Sequence, residues 1–261
     1  MLQILTLNTW KCDGEYEKRM EIILFELKKM NYTIIALQEC FATTDYSYHT
    51  AKWLADGLNM DYFFYPIRQK ERMMKNINYD SFSGLAILSK LPIVSKYVIY
   101  LPSCPEDTER LSIAITVQLK KTYVTVANLH LTHLQNGGQL RNNQFKTLLA
   151  NSSIQDKNGI KIYCGDFNCE IESDELAEFF SPPFNLKDTY ILGGGTKPCF
   201  TCPIREDVPD EMRKKIDHIL VAPLNNVYPK IRNTKIELNK KNEAHQIYAS
   251  DHFGVSCTIE V

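Results

Sequence analysis

"GIKIYCGDFNCE", residues 159–170, decides how this chain is read. Its β-branched and aromatic residues alternate into a short apolar run. Such a run, closed by Gly and Asp, predicts a buried strand over "GIKIYCGD". Reactive groups sit at strand ends, where loops meet solvent. Asp166 ends this strand and Asn168 follows it. Residues two apart face one side of an extended backbone. Asp accepts a proton, whereas Asn donates a hydrogen bond without adding negative charge. The pair therefore suits a cleft that receives an anion. Taken alone, "GDFN" also reads as a turn with Asx hydrogen bonds.

The same pattern recurs along the chain. Leu2–Leu7 reads as a strand that ends at Asn8, and "TIIALQE" as one that ends at Glu39. "YVTVANLHL" carries His130 near its end, "KIDHILV" contains Asp217 and His218, and Ser250, Asp251 and His252 precede "FGVSCTIEV". Singly, each has an ordinary reading: a turn Asn, a solvated Glu, a hydrogen-bonded His. Asp217 on an apolar strand resists that reading, because an unpaired buried carboxylate is costly. His252 is a candidate partner.

Helical spacing over Glu15–Met30, and the patterns of Ala51–Leu58, Leu140–Ala150 and residues 173–180, predict helices. "DYFFYPI", "GLAILS" and "LSIAITVQL" read as further strands, and residues 68–82 as a loop. A mixed α/β fold of two packed sheets with outer helices follows. The chain has 261 residues with 44% hydrophobic, enough to form a core. No repeat or Gly/Ser/Pro-rich linker breaks it, so residues 1–261 are expected to form a single domain. The formal net charge of −1 provides no global basic field for nucleic acid. Neither a signal peptide nor a membrane span is visible, and a cytoplasmic monomer is expected. Cys199 and Cys202 form the one CxxC among the eight cysteines, and reduced thiols are favoured over a zinc site.

The stretches "LTLNTW", "IIALQE", "SGLAILSK", "VANLHLTH", "CGDFN", "KIDHILV" and "SDHFGV", in this order, resemble the endonuclease/exonuclease/phosphatase superfamily, whose members include deoxyribonuclease I. The resemblance runs from residue 2 to the C-terminus. It implies a four-layer αββα sandwich with the site at one edge of the two sheets. It also implies a phosphodiesterase that uses Mg²⁺ or Mn²⁺. Such hard cations prefer oxygen ligands, so Glu39, Asn8 and Asp251 are the expected metal ligands. Asp166 is the expected base or water-orienting group, with Asn168 holding water or phosphate. Asp217 is expected to pair with His252 and keep it charged, and His130 to contact phosphate or act as an acid. His133 offers a rival register for that histidine. His218 is expected to point the other way from Asp217. Arg141 in "RNNQ" and Thr201 in "CFTCP" are weaker candidates for substrate binding.

The favoured substrate is a nucleic acid or nucleotide. A phospholipid, as in sphingomyelinases, is the alternative, and an inactive binding module on the same fold is a second. "RQKERMMK", residues 68–75, bears on this choice: its basic residues suit phosphates, its methionines a membrane. A solvated loop is the plain reading.

Overall fold

The same two-residue alternation that marks strands in the sequence sorts side chains between layers. The computed structural model describes residues 1–154, 159–197, 199–202, 208–209 and 212–260. In chain order the elements are β1 (Leu2–Asn8), α1 (Tyr16–Met30), β2 (Ile34–Thr43), α2 (Thr50–Leu58), β3 (Asp61–Tyr65), β4 (Lys70–Met74) and β5 (Ile77–Ser89). They continue as β6 (Ile93–Tyr100), β7 (Leu111–Leu119), β8 (Thr122–His130), α3 (Gly138–Ala150), β9 (Ile160–Asp166), β10 (Lys187–Asp188), α4 (Thr189–Leu192), β11 (Asp217–Val221), β12 (Lys230–Glu237) and β13 (Gly254–Glu260).

One sheet has the order β12-β13-β1-β2-β5-β3, with β4 also on β5, and the other has β10-β11-β9-β8-β7-β6. Each contains a parallel pair at its middle. β1 and β2 pair with Leu5 opposite Ile35, and β8 and β9 with Asn128 opposite Cys164. A parallel pair needs a crossover, which α1 supplies in one sheet and α3 in the other. Ile4, Ile34 and Ile87 of the first sheet meet Ile113, Val126, Ile162 and Ile219 of the second in a shared core. The opposite faces are covered by helices. Leu5, Leu7, Ile35 and Leu37 pack on Ile23 and Leu27 of α1 and Leu54 of α2. Ala127, Leu129 and Leu220 pack on Phe145 and Leu148 of α3. This is the expected four-layer αββα sandwich.

Residues 68–82 depart from the expected loop: they contain β4 and the first part of β5, an antiparallel pair running from Lys70–Ser81 to Met74–Ile77. The inward positions of β4 are Arg72 and Met74. An arginine at one of only two buried positions erases the apolar alternation on which strand reading depends. β6 and β12 were also not anticipated. Both are edge strands of mixed burial. The helix expected over residues 173–180 is a 3₁₀ helix, Asp174–Phe180.

His218 points away from Asp217 into a buried cluster of its own. Lys215 Nζ lies 2.7 Å from its Nδ1 and 3.2 Å from Asp188 Oδ2. The ammonium donates, so Nδ1 accepts and Nε2 carries the proton toward the Cys169 carbonyl at 3.0 Å. Burial opposes ionisation of Asp188, yet the Lys215 ammonium holds its carboxyl well below the usual carboxylate range. A depressed folded-state value stabilises above the unfolded value and is lost as pH falls. Asp188→Asn is therefore expected to cost about 3–5 kcal/mol at pH 7, because Lys215 loses its counter-charge. Urea unfolding should show the difference from the parent shrinking below about pH 4. A pH-independent cost would contradict this account.

Candidate active site

The parallel pairing of β1 with β2 and of β8 with β9 brings the carboxyl ends of β1, β8 and β9 to one edge of the sandwich together with the middle of β2, which does not end at Glu39 as expected but continues to Thr43. There Asn8, Glu39, His130, Asp166, Asn168, Asp251 and His252 line a single cleft of about 420 Å³. Residues far apart in sequence thus meet around one space. The close approach of β8 and β9 beneath it requires Gly165. Its φ is +144°, and a Cβ there would lie 1.9 Å from the Leu129 carbonyl oxygen.

His252 is the electrostatic centre. Its Nδ1 is 2.9 Å from Asp217 Oδ2, and its Nε2 is 3.8 Å from Asp166 Oδ2. Burial alone would lower its pKa, but the carboxylates of Asp217 and Asp166 raise it well above the ordinary value. The imidazole is therefore held as an imidazolium. Asp217 is fully buried, and its backbone amide donates to Thr201 Oγ1. Asp166 accepts from the Asn168 amide at 2.9 Å and from Asn8 Nδ2 at 3.1 Å. Burial, with repulsion from Asp217, pushes the Asp166 carboxyl up to about 7. A carboxylate near neutrality is matched to proton transfer at physiological pH.

His130 Nε2 lies 3.5 Å from Asp166 Oδ2. Burial first, and the positive charge of Arg110 second, put its pKa well below the ordinary value. This favours the neutral form of His130 in the free cleft, a form that can hydrogen-bond to phosphate, one of its two expected roles. Arg110 donates to the His130 carbonyl at 3.0 Å and to His133 Nδ1 at 3.0 Å. Both histidines of "HLTH" thus face the cleft, and the rival registers are neighbours in it.

Glu39 reaches the cleft through a β-bulge. The β2–β5 register shifts between Leu37 and Cys40, and Glu39 has φ +53°. Bulges re-aim side chains next to active sites. Its carboxylate is 3.1 Å from Lys11 Nζ. Asp251 stands beside it, its carboxyl pushed up by burial with Glu39 adding repulsion. Two carboxylates facing one another across a polar cleft make an oxygen-donor set that fits a hard divalent cation. The amide orientation of Asn8 is fixed, since its Oδ1 accepts from the Trp10 amide at 3.0 Å. Its carbonyl oxygen keeps one further lone pair. Among the described residues, Asp166, Asp217 and His252 also bring ligand atoms within 4.8 Å of one another. There the imidazolium already supplies the positive charge, so the Glu39 side suits a metal better.

Two expected substrate contacts lie elsewhere. Arg141 is buried; its Nε donates to Glu175 at 2.6 Å and its Nη1 to the carbonyls of Thr132 and Leu134. It braces the loop that carries His133. Thr201 is fully buried, and its hydroxyl oxygen accepts from the amides of Ile216 and Asp217. It positions Asp217. Residues not singled out from the sequence also shape the cleft. Arg19 is buried and spends its guanidinium on the carbonyls of Thr9, Trp10, Lys11, Asp13 and Ala249. Arg110, placed directly before the apolar run "LSIAITV", was the one detectable signal: a charge where a buried strand begins.

Residues 5–252 match the profile of the Endonuclease/Exonuclease/phosphatase family. No curated protein matches the chain. Among solved structures, an endonuclease/exonuclease/phosphatase family protein from Leptotrichia buccalis superposes with a TM-score of 0.75 at 21% identity, covering 100% of both chains. D. rerio TDP2 complexed with single strand DNA product gives 0.74 at 19%, covering 100% of this chain and 99% of that one. The human Nocturnin catalytic domain with bound sulfate gives 0.74 at 21%, covering 99% and 94%. At these identities the likeness is one of fold.

Because Asp217 keeps His252 charged, Asp217→Asn is expected to lower the His252 titration midpoint. Histidine side-chain NMR across pH measures it. An unmoved midpoint would show that the pair is not electrostatically coupled.

Proposed function

Since the chain belongs to the endonuclease/exonuclease/phosphatase family, a family of phosphoesterase hydrolases, we propose that it is a divalent-metal-dependent phosphodiesterase acting on a nucleic acid or nucleotide. The observation that carries this reading is His252 placed between the buried carboxyl groups of Asp217 and Asp166, at a cleft that also contains Glu39. A phosphodiester is anionic and resists attack by water. Hydrolysis needs charge neutralised on the phosphoryl oxygens, a deprotonated in-line water and support for the leaving group.

Asp166 supplies the base. Its amide and Asn8 hydrogen bonds hold the carboxylate toward the cleft, and its raised pKa keeps it able to take a proton. Asn168 donates through Nδ2 to the Leu131 carbonyl at 3.0 Å, which leaves its side-chain oxygen to hold the attacking water. His252 stabilises the charge that accumulates on phosphorus-bound oxygens, and Asp217 maintains its orientation. His130 donates a hydrogen bond to the same group as a neutral imidazole. Glu39 and Asp251, with the free lone pair of Asn8, would hold Mg²⁺ or Mn²⁺. When bound, such an ion neutralises phosphoryl charge and polarises the ester.

The cleft lining favours a nucleotide over a lipid. Arg68, Lys70 and Arg72 of "RQKERMMK" line it, whereas Met74 is buried and Met73 is exposed. That one relative was solved with single strand DNA product agrees with this choice.

Hydrolysis of bis-p-nitrophenyl phosphate is expected to require Mg²⁺ or Mn²⁺ and to stop in excess chelator. Asp166→Asn and His252→Ala should each lose at least about 10²-fold in kcat while staying folded. Equal turnover in chelator, or a near-parental rate in either variant, defeats the mechanism. Glu39→Gln should shift the activating Mg²⁺ concentration upward by about tenfold or more, read from a metal titration of rate. An unchanged titration would remove Glu39 from the metal site.

A further inference from the structure

Beside the carboxylate-rich end of the cleft lies a cationic arm that the chemistry above does not use. Its wall is formed by Arg68, Arg72 and Arg110, with Lys70 at the rim. Arg72 is 8% exposed and forms no ion pair among the described residues. Its hydrogen bonds go to neutral oxygens: the carbonyls of Lys70, Ser81 and Arg68, and Ser81 Oγ. Its Nε has no partner among the described residues. The nearby carboxylates of Glu39 and Asp13 are both engaged by Lys11. Arg68 and Arg110 share a single carboxylate, Asp107, which is buried. Glu109 at the rim accepts from the Arg68 backbone amide.

Within direct contact the three guanidiniums therefore meet one buried carboxylate and one rim carboxylate, while Asp166, Glu39 and Asp13 act on them only at longer range. Burying positive charge without a counter-ion is costly. A protein that does so beside an ester-hydrolysing centre is built to receive the counter-ion from its ligand. Guanidinium suits phosphate because its planar fork matches two phosphate oxygens. Arg110 adds a further element. By donating to His133 Nδ1 it fixes that ring with its proton on Nε2, a neutral donor lining the same cleft.

Resting on the phosphodiesterase reading for which phosphate is attacked, we infer that this arm is a second anion subsite. It takes a further phosphate group of the same substrate, not the one that is hydrolysed. Its substrate class is a nucleotide unit with two phosphates, set either across the sugar, as in a polynucleotide, or in a diphosphate.

Binding without turnover tests this independently of catalysis. Thymidine 5′-monophosphate, thymidine 3′,5′-bisphosphate and thymidine 5′-diphosphate would be titrated calorimetrically into the intact protein in chelator. At least one doubly phosphorylated ligand is expected to bind about tenfold or more tighter than the monophosphate. The tighter one identifies the phosphate spacing. Arg72→Met should reduce that preference by at least about fivefold. Arg68→Gln, at a more exposed position, should do the same and covers the case in which Arg72→Met fails to fold. Lys75→Gln, on the same hairpin but paired with Glu17 outside the cleft, should leave the preference intact. Equal binding of all three ligands, or a preference that survives both arginine substitutions, overturns the subsite. Loss of bis-p-nitrophenyl phosphate turnover in the parent protein would instead strike the catalytic reading and leave the binding result standing.

Discussion

A buried amide pair sets the distance between the two sheets, and the site depends on that distance. Gln38 Nε2 of β2 donates to Asn128 Oδ1 of β8 at 2.7 Å. Asn128 Nδ2 returns bonds to the carbonyls of Leu37 and Ala86 at 2.8 and 2.9 Å. Both residues are fully buried. Hydrophobic contact between sheets is non-directional and tolerates sliding. Amide bonds in a dry interior are directional, and leaving them unmade costs about 1–3 kcal/mol per group. Glu39 follows Gln38 directly and His130 follows Asn128 by two residues. The pair therefore indexes one wall of the cleft against the other.

The cleft, like several turns elsewhere, carries residues in the left-handed region. Trp10, Lys11, Glu39, Arg68, Glu109 and Asn168 all have positive φ without being glycine, and all line it. Such conformations cost of order 1–3 kcal/mol each and persist only where surrounding bonds over-determine them. The bonds are identifiable. Arg19 gathers five carbonyls around Trp10 and Lys11. The Asp166 side chain captures the Asn168 amide. Asp107 and the Thr108 carbonyl hold Arg68. Rigidity at the site thus comes from buried polar bonds made by side chains that need not touch substrate.

What the sequence disclosed follows from the same division. Asn8, His130 and Asp166 end apolar runs, Glu39 interrupts one and His252 precedes one, so their polarity stands out against the strands beside them. Asp217 stood out because a carboxylate on an apolar strand demands a partner, and His252 provides it. Arg141 and Thr201 also carry distinctive chemistry, but bonding decides what they do. Arg141 finds Glu175, thirty-four residues away, which no local pattern predicts. Thr201 accepts amides sixteen residues on. Arg72 shows the converse: a buried arginine disguises a strand as a loop, and its burial is evident only once β5 lies beside it.

The two halves of the cleft are complementary in charge. Around His252, the carboxylates of Glu39, Asp166, Asp217 and Asp251 face one imidazolium and the Lys11 ammonium, a formal excess of two negative charges. In the arm, Arg68, Lys70, Arg72 and Arg110 face Asp107 and Glu109, a formal excess of two positive charges. Neither excess is favourable alone in a partly desolvated site. In the reading proposed above, a divalent cation would relieve the first and an additional phosphate the second. Under that reading the chain's own charges select a cation and an anion together, and each bound partner offsets the repulsion the other would meet from the far half of the cleft.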